Sequence, residues 1–83
     1  MTKQELQYQV KRLEGVGYPL ADAQKNELVV EAKKYGAGDT WIYTIIGVSI
    51  SVFIKHDADC DHDDMMVYLK NNIKWASEIM GAI

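Results

Sequence analysis

The central stretch of the chain, residues 41–54, is its only long run without a charged residue, and it constrains the fold most. It reads Trp-Ile-Tyr-Thr-Ile-Ile-Gly-Val-Ser-Ile-Ser-Val-Phe-Ile and is rich in β-branched and aromatic residues, which favour strands. A helix from Thr40 to Ile54 would extend only about 22 Å, which is less than the roughly 30 Å hydrocarbon core of a bilayer. We therefore interpret the stretch as part of a globular core.

A single straight strand does not suit this stretch either. Fourteen extended residues would span about 46 Å, whereas a globule of this length has a radius of gyration near ~12 Å. Gly47 is best suited to reverse the chain, so the pattern predicts an antiparallel hairpin with Gly47-Val48 as its two-residue loop. Because residues 42–54 also alternate with an apolar face, a single bent strand is the alternative. The hairpin would place six large side chains on one buried face: Trp41, Tyr43, Ile45, Ile50, Val52 and Ile54.

The length and composition predict one compact domain that covers residues 1–83. Apolar residues make up 48% of the chain and charged residues 25%, as in ordinary globular proteins. The single cysteine excludes an intramolecular disulfide, and the first residues lack the apolar segment of a secretory signal. We therefore expect a cytoplasmic protein.

Two helices are predicted before the central stretch. Thr2 and Glu5 fit a capping box, so the first helix should span residues 3–14, with Gly15 as the C′ residue. The second helix should run from residue 20 or 22 to residue 35 and close at Gly36. Its apolar face would hold Leu28, Ala32 and Tyr35.

The last helix is predicted at about residues 63–80, and it carries two apolar stripes. One stripe is a heptad seam of Met66, Leu69, Ile73, Ala76, Met80 and Ile83, and the other consists of Tyr68, Trp75 and Ile79. The predicted fold is thus a small α+β domain of order α-α-β-β-α, in which helices cover one face of the hairpin at about 41–54. A hairpin edge or the last helix would allow a homodimer.

The loop between the hairpin and the last helix is strongly acidic. It contains five of the twelve acidic residues of the chain, which has a net charge of −3: Asp57, Asp59, Asp61, Asp63 and Asp64. Asp61 is the expected N-cap of the last helix, with Asp64 at position N3. The remaining carboxylates exceed what helix capping needs. We therefore interpret loop 56–64 as the functional surface.

The residues of this loop do not form a recognisable metal site. Its alternating aspartates resemble an EF-hand loop only in part, because His62 and Tyr68 replace the required glycine and glutamate. His56, Cys60 and His62 are zinc-ligand types, but their spacing matches no common closed site. The sequence therefore predicts no resident metal and no cofactor.

Catalytic groups are equally absent from the sequence pattern. The neighbouring carboxylates disfavour a Cys60 thiolate, and no phosphate loop or nucleophile with its base is visible. We therefore predict that the protein is not an enzyme.

The order helix–turn–helix–hairpin–helix resembles that of winged-helix domains, whose second helix enters the major groove of DNA. In this chain Asp22, Glu27 and Glu31 offset the lysines of that helix, and the hairpin tip at Gly47 carries no charge. Direct nucleic-acid binding needs a basic footprint, which is missing. Contact with nucleic acid is therefore not expected.

The favoured function is a small acidic protein-binding module that is not an enzyme. Its acidic loop would occupy a basic, nucleic-acid-binding surface of a partner, as small phage-type inhibitors do. The alternatives are a metal-binding or sensing protein that uses the His/Asp/Cys loop, and a winged-helix-like regulator. No membrane contact is expected. The predicted partner-binding residues are Asp57, Asp59, Asp61, Asp63, Asp64, Tyr68 and Trp75.

Overall fold

The computed structural model describes residues 3–36, 38–57 and 59–79, without the side chains of residues 39, 40 and 57. These ranges form four α-helices, and no strand occurs within them. The predicted α+β class, the order α-α-β-β-α and the hairpin at 41–54 are therefore wrong. The helices are α1 Lys3–Gly15, α2 Asp22–Lys34, α3 Asp39–Val52 and α4 His62–Ile79, and a π-helical segment Phe53–Asp57 continues α3.

The uncharged central stretch forms α3, which packs against each of the other three helices. Its buried residues recur at spacings of three and four, which is the pattern of a helix with a broad apolar side. A helix that is contacted on several sides has little room for charged residues, which accounts for the uncharged run. The buried side chains of α3 are Ile42, Ile45, Ile46, Ser49 and Ile50, and Phe53 at the start of the π-helical segment continues the pattern.

The side chains predicted to share one hairpin face are distributed around α3 instead. Trp41 is exposed, Ile45 and Ile50 are buried, and Tyr43, Val52 and Ile54 are half-buried. Gly47 does not reverse the chain but lies buried inside the helix, where glycine costs about 0.5–1 kcal/mol relative to alanine.

The length and the hydropathy of the helices decide whether one of them could cross a membrane. Within the described ranges, no helix combines the length and the apolar sequence that a bilayer crossing requires.

The turn after α1 depends on Gly17. This residue has a φ of 99°, in the left-handed region that favours glycine. The Gly17 N–H donates to the Glu14 carbonyl, and the Tyr18 N–H donates to the Leu13 carbonyl, both at 3.0 Å. These two bonds form a Schellman motif with Gly17 at C′, so the assignment of C′ to Gly15 is wrong. Thr2, the predicted N-cap, lies outside the described residues.

The second helix agrees with its prediction. Leu28 and Ala32 are buried and Tyr35 is half-buried, so these residues share the core face. Gly36, with a φ of 78°, closes the helix.

The last helix, α4, buries its heptad seam against α3 and α2 rather than against a hairpin. Met80 and Ile83, predicted for the same seam, lie outside the described residues. The second stripe remains exposed: Tyr68, Trp75 and Ile79 have 41%, 48% and 64% of their surfaces accessible. The buried seam residues are Met66, Leu69, Ile73 and Ala76.

Candidate protein-binding surface

Tyr18 holds the acidic loop to the core from its inner side. Its hydroxyl donates a hydrogen bond to the Cys60 carbonyl and accepts one from the Cys60 N–H at 2.9 Å. The Tyr18 ring is buried and packs edge-on against Phe53, with the ring centroids 5.1 Å apart. Sequence reasoning missed Tyr18, because nothing local indicates a partner 42 residues away.

A second contact connects the start of α2 with the start of α4. The Gln24 side-chain oxygen accepts the Ala21 N–H at 2.9 Å, so the amide nitrogen of Gln24 faces His62. That nitrogen lies 3.0 Å from His62 Nε2 and donates to it. His62 thus has a structural role in the attachment of the loop.

The metal-binding alternative uses His56, Cys60 and His62, which lie in the stretch from the π-helical segment to the first turn of α4. In the part of the chain that the structure describes, no three potential ligand side chains of His, Cys, Asp or Glu lie together. Of the residues proposed for zinc, His56 is exposed, whereas the Cys60 backbone and the His62 ring are engaged by Tyr18 and Gln24.

The start of α4 uses part of the acidic cluster. The Asp64 N–H donates to Asp61 Oδ1 at 2.9 Å, which confirms Asp61 as N-cap and Asp64 at N3. Asp63 and Asp64 lie in the first turn, where a negative charge opposes the positive end of the helix. Asp59, Asp61, Asp63 and Asp64 are all exposed. Among the described residues, none of these four forms an ion pair.

The helix brings some of the predicted partner-binding residues together and separates others. Asp64, Tyr68 and Trp75 follow at spacings of four and seven residues, so they share one side of α4, and Ile79 lies four residues further. We call these four residues the α4 strip. Asp63 lies on another side of the helix, and Asp59 lies in the preceding loop. The side chain of Asp57 is outside the described residues.

The α4 strip runs beside α3. The Asn72 side-chain nitrogen, one turn beyond Tyr68, donates to the Ser49 carbonyl at 3.3 Å. The Tyr68 ring lies 6.3 Å from the Phe53 ring, measured between centroids. Because these pairs run in opposite directions along the two helices, α3 and α4 are antiparallel. Trp41, which is 44% exposed, therefore lies toward the end of α4 that carries Ile79.

Comparisons of the chain with protein-family models, curated proteins and solved structures found no match.

Proposed function

We propose that this protein is a small, non-enzymatic binding module that places its acidic loop and the α4 strip on a basic surface of a partner protein. The observation that carries the proposal is the strip itself, in which a carboxylate and two exposed aromatic rings lie in one row. Aromatic residues are enriched at the energetically important centres of protein interfaces. A nucleic-acid-binding groove is a basic surface of this kind, and a phage-type inhibitor would occupy it.

The attachment of the loop supports this use. Tyr18 and Gln24 fix its inner side, while Asp59 and Asp63 remain exposed. Cys60 and His62 are thus held before binding, and a segment that is already ordered loses less conformational entropy when it binds, which favours affinity. We place this binding in the cytoplasm, where a lone cysteine stays reduced.

The double variant Asp57→Asn, Asp59→Asn tests the role of the surplus charge. Its melting temperature should be nearly unchanged, because Asp61 already caps α4. Association with the partner should slow by about three- to tenfold at low salt, and the difference should vanish at high salt. The partner is first captured on wild-type protein, and rates are then measured by stopped-flow mixing.

Asp22→Asn is the matched control for the single variant Asp59→Asn, because Asp22 is an exposed aspartate of α2 whose side chain is 99% accessible. It removes one negative charge outside the loop and should leave the association rate close to that of wild type. Unaltered kinetics of the double variant at low salt would mean that the loop is only a solvated connector. A metal-induced rise in melting temperature that the double variant loses would favour the metal-binding alternative.

Trp75→Asp tests whether the α4 strip also binds a second copy. We expect the wild type to form homodimers through the strip at high protein concentration, because the exposed rings remain apolar without a partner. A charge at position 75 should leave only monomers in sedimentation velocity. Val67→Asp, at a residue 56% exposed on another side of α4, should not change the oligomeric state. Two identical monomers for wild type and Trp75→Asp would contradict a dimer through the strip.

A further inference from the structure

A cavity of about 440 Å³ opens between α1 on one side and a wall formed by α2 and α3 on the other. None of its lining residues belongs to the acidic loop or to the α4 strip. One side of α1 contributes Leu6 and Val10, at the spacing of four that places residues on the same helix face. The apolar lining consists of Leu6, Val10, Leu20, Leu28, Val29, Tyr43, Ile46 and Ile50.

The size of this cavity is that of a ligand site. Protein interiors are close-packed and contain few voids larger than a water molecule. An apolar cavity of about 150 Å³ is enough to bind benzene, and ligand pockets usually measure about 300–1,000 Å³. Leu28, Ile46 and Ile50 form a wall of well-buried side chains, whereas Leu6 and Val10 are only half-buried. The cavity therefore offers a preformed apolar surface that is open at its rim.

The rim of the cavity is basic, although the chain as a whole has a net charge of −3. Lys3, Lys11 and Lys25 line it, and Glu14 is its only acidic lining residue within the described part of the chain. Lys25 Nζ also lies 3.8 Å from Asp22, in an exposed pair that contributes little. An adjoining cavity of about 140 Å³, lined by Val29, Lys33, Ile42 and Tyr43, adds a fourth lysine.

We propose that this cavity binds a single-chain anionic amphiphile, such as a fatty-acid-type carboxylate. The alkyl chain would lie on the wall formed by α2 and α3, and the anionic group would lie among the rim lysines. Lysine suits this arrangement because its alkyl stem lies along apolar surface while its ammonium group stays in water. A flat polar ligand such as a nucleoside does not suit the inner surface of the cavity, since the side chains of Leu28, Ile46 and Ile50 cannot hydrogen-bond to its base and sugar.

Titration with decanoate, below the concentration at which it forms micelles, tests the proposal. Decanol and decyltrimethylammonium are the neutral and cationic probes of equal chain length. Calorimetry should show one decanoate bound per chain, and the melting temperature should rise with its concentration, because a ligand of the folded state stabilises it. Decanol should bind more weakly, and the cationic probe should produce no saturable heat.

Two pairs of variants locate the site. Val29→Trp fills the cavity and should abolish decanoate binding, whereas Val30→Trp, at an exposed neighbouring residue of α2, should retain it. If Val29→Trp does not fold, Leu6→Trp fills the cavity from α1. Lys11→Glu should weaken binding by up to about fivefold, an effect of the size expected for an exposed charge. Lys74→Glu, at an exposed residue of α4, should leave the dissociation constant unchanged.

Three results would overturn the proposal. These are no saturable heat with decanoate, equal affinity for decanoate and decanol, and undiminished binding by the cavity-filling variant. The variants of this test lie outside the acidic loop and the α4 strip, so its failure leaves the proposed protein-binding function untouched.

Discussion

Replacing Ile50 with alanine is expected to lower the free energy of unfolding by about 2–5 kcal/mol, the range for large-to-small changes in a core. Ile50 is fully buried on α3, the helix that contacts all three others. A domain of 83 residues has a total stability of roughly 4–12 kcal/mol, so this loss is a large share of it. Urea denaturation followed by circular dichroism measures the change. Val30→Ala, at an exposed residue of α2, is the control and should stay within about 0.5 kcal/mol of wild type.

Alanine at Ile45 and at Ile46 distinguishes the helix from a strand. Both neighbours are buried in α3, so each substitution should cost about as much as Ile50→Ala. In a strand, adjacent side chains point to opposite faces, and one of the two changes would be nearly neutral. A loss below about 1 kcal/mol at either residue would therefore contradict the packing of α3.

Tyr18→Phe is expected to cost about 1–3 kcal/mol, because it removes the hydroxyl that pairs with both the N–H and the carbonyl of Cys60. In a domain of this size, each kcal/mol lowers the melting temperature by about 4–8 °C. The ring itself, packed against Phe53, is retained in the variant. Thermal unfolding measures the loss, and hydrogen exchange of the Cys60 amide should accelerate because its acceptor is gone.

Tyr8→Phe provides the control for this change. Tyr8 is 61% exposed and contacts Arg12 through its ring, 5.9 Å from the guanidinium carbon, a contact that phenylalanine preserves. Its melting temperature should equal that of wild type. If Tyr18→Phe also melts like wild type and the Cys60 amide exchanges at the same rate, the loop is held by the cap of α4 and not by Tyr18.

The elements with strong end signals could be predicted from the sequence. The N-cap at Asp61 follows from one short polar side chain before an apolar helix, and the structure confirms it. The end of α2 at Gly36 and the exposed stripe that contains Tyr68 and Trp75 also follow from residues close in sequence. Such features depend on neighbours within a few residues, which are visible in the sequence itself.

The hairpin prediction for the central stretch was wrong because the spacing of its apolar residues suits both a helix and a strand. Ile42, Ile46, Ile50 and Ile54 recur every four residues, a spacing that belongs to one face of a helix and also to one face of a strand. The preference of isoleucine and valine for strands amounts to tenths of a kcal/mol per residue, whereas burial of one such side chain contributes about 1.5–3 kcal/mol. Packing against three helices therefore outweighs residue preference.

The length of this stretch was a better guide to its secondary structure than its residue preferences. The fold measures 31 × 22 × 22 Å, which a fourteen-residue helix fits within and a straight strand of that length does not. No comparable criterion could have predicted the contact between Tyr18 and Cys60 or the cavity between α1 and α2. Both arise from the relative placement of helices, which no local spacing encodes.

The π-helical segment at Phe53–Asp57 makes this part of the chain respond differently to a lost residue and to an added one. A π-helix accommodates one more residue in its turn than an α-helix does, and it corresponds to a single inserted residue. Deleting one exposed residue there would restore ordinary helix geometry and leave the direction of the following chain nearly unchanged, because the π turn already absorbs the extra residue. Cys60 would then stay close to the Tyr18 hydroxyl. Inserting a further residue would instead rotate everything that follows by about 100° around the axis of α3, and the loop carboxylates would face a different direction. Along these five positions, substitutions at exposed residues such as Lys55 and His56 and deletion of one of them should be tolerated, whereas an insertion should not.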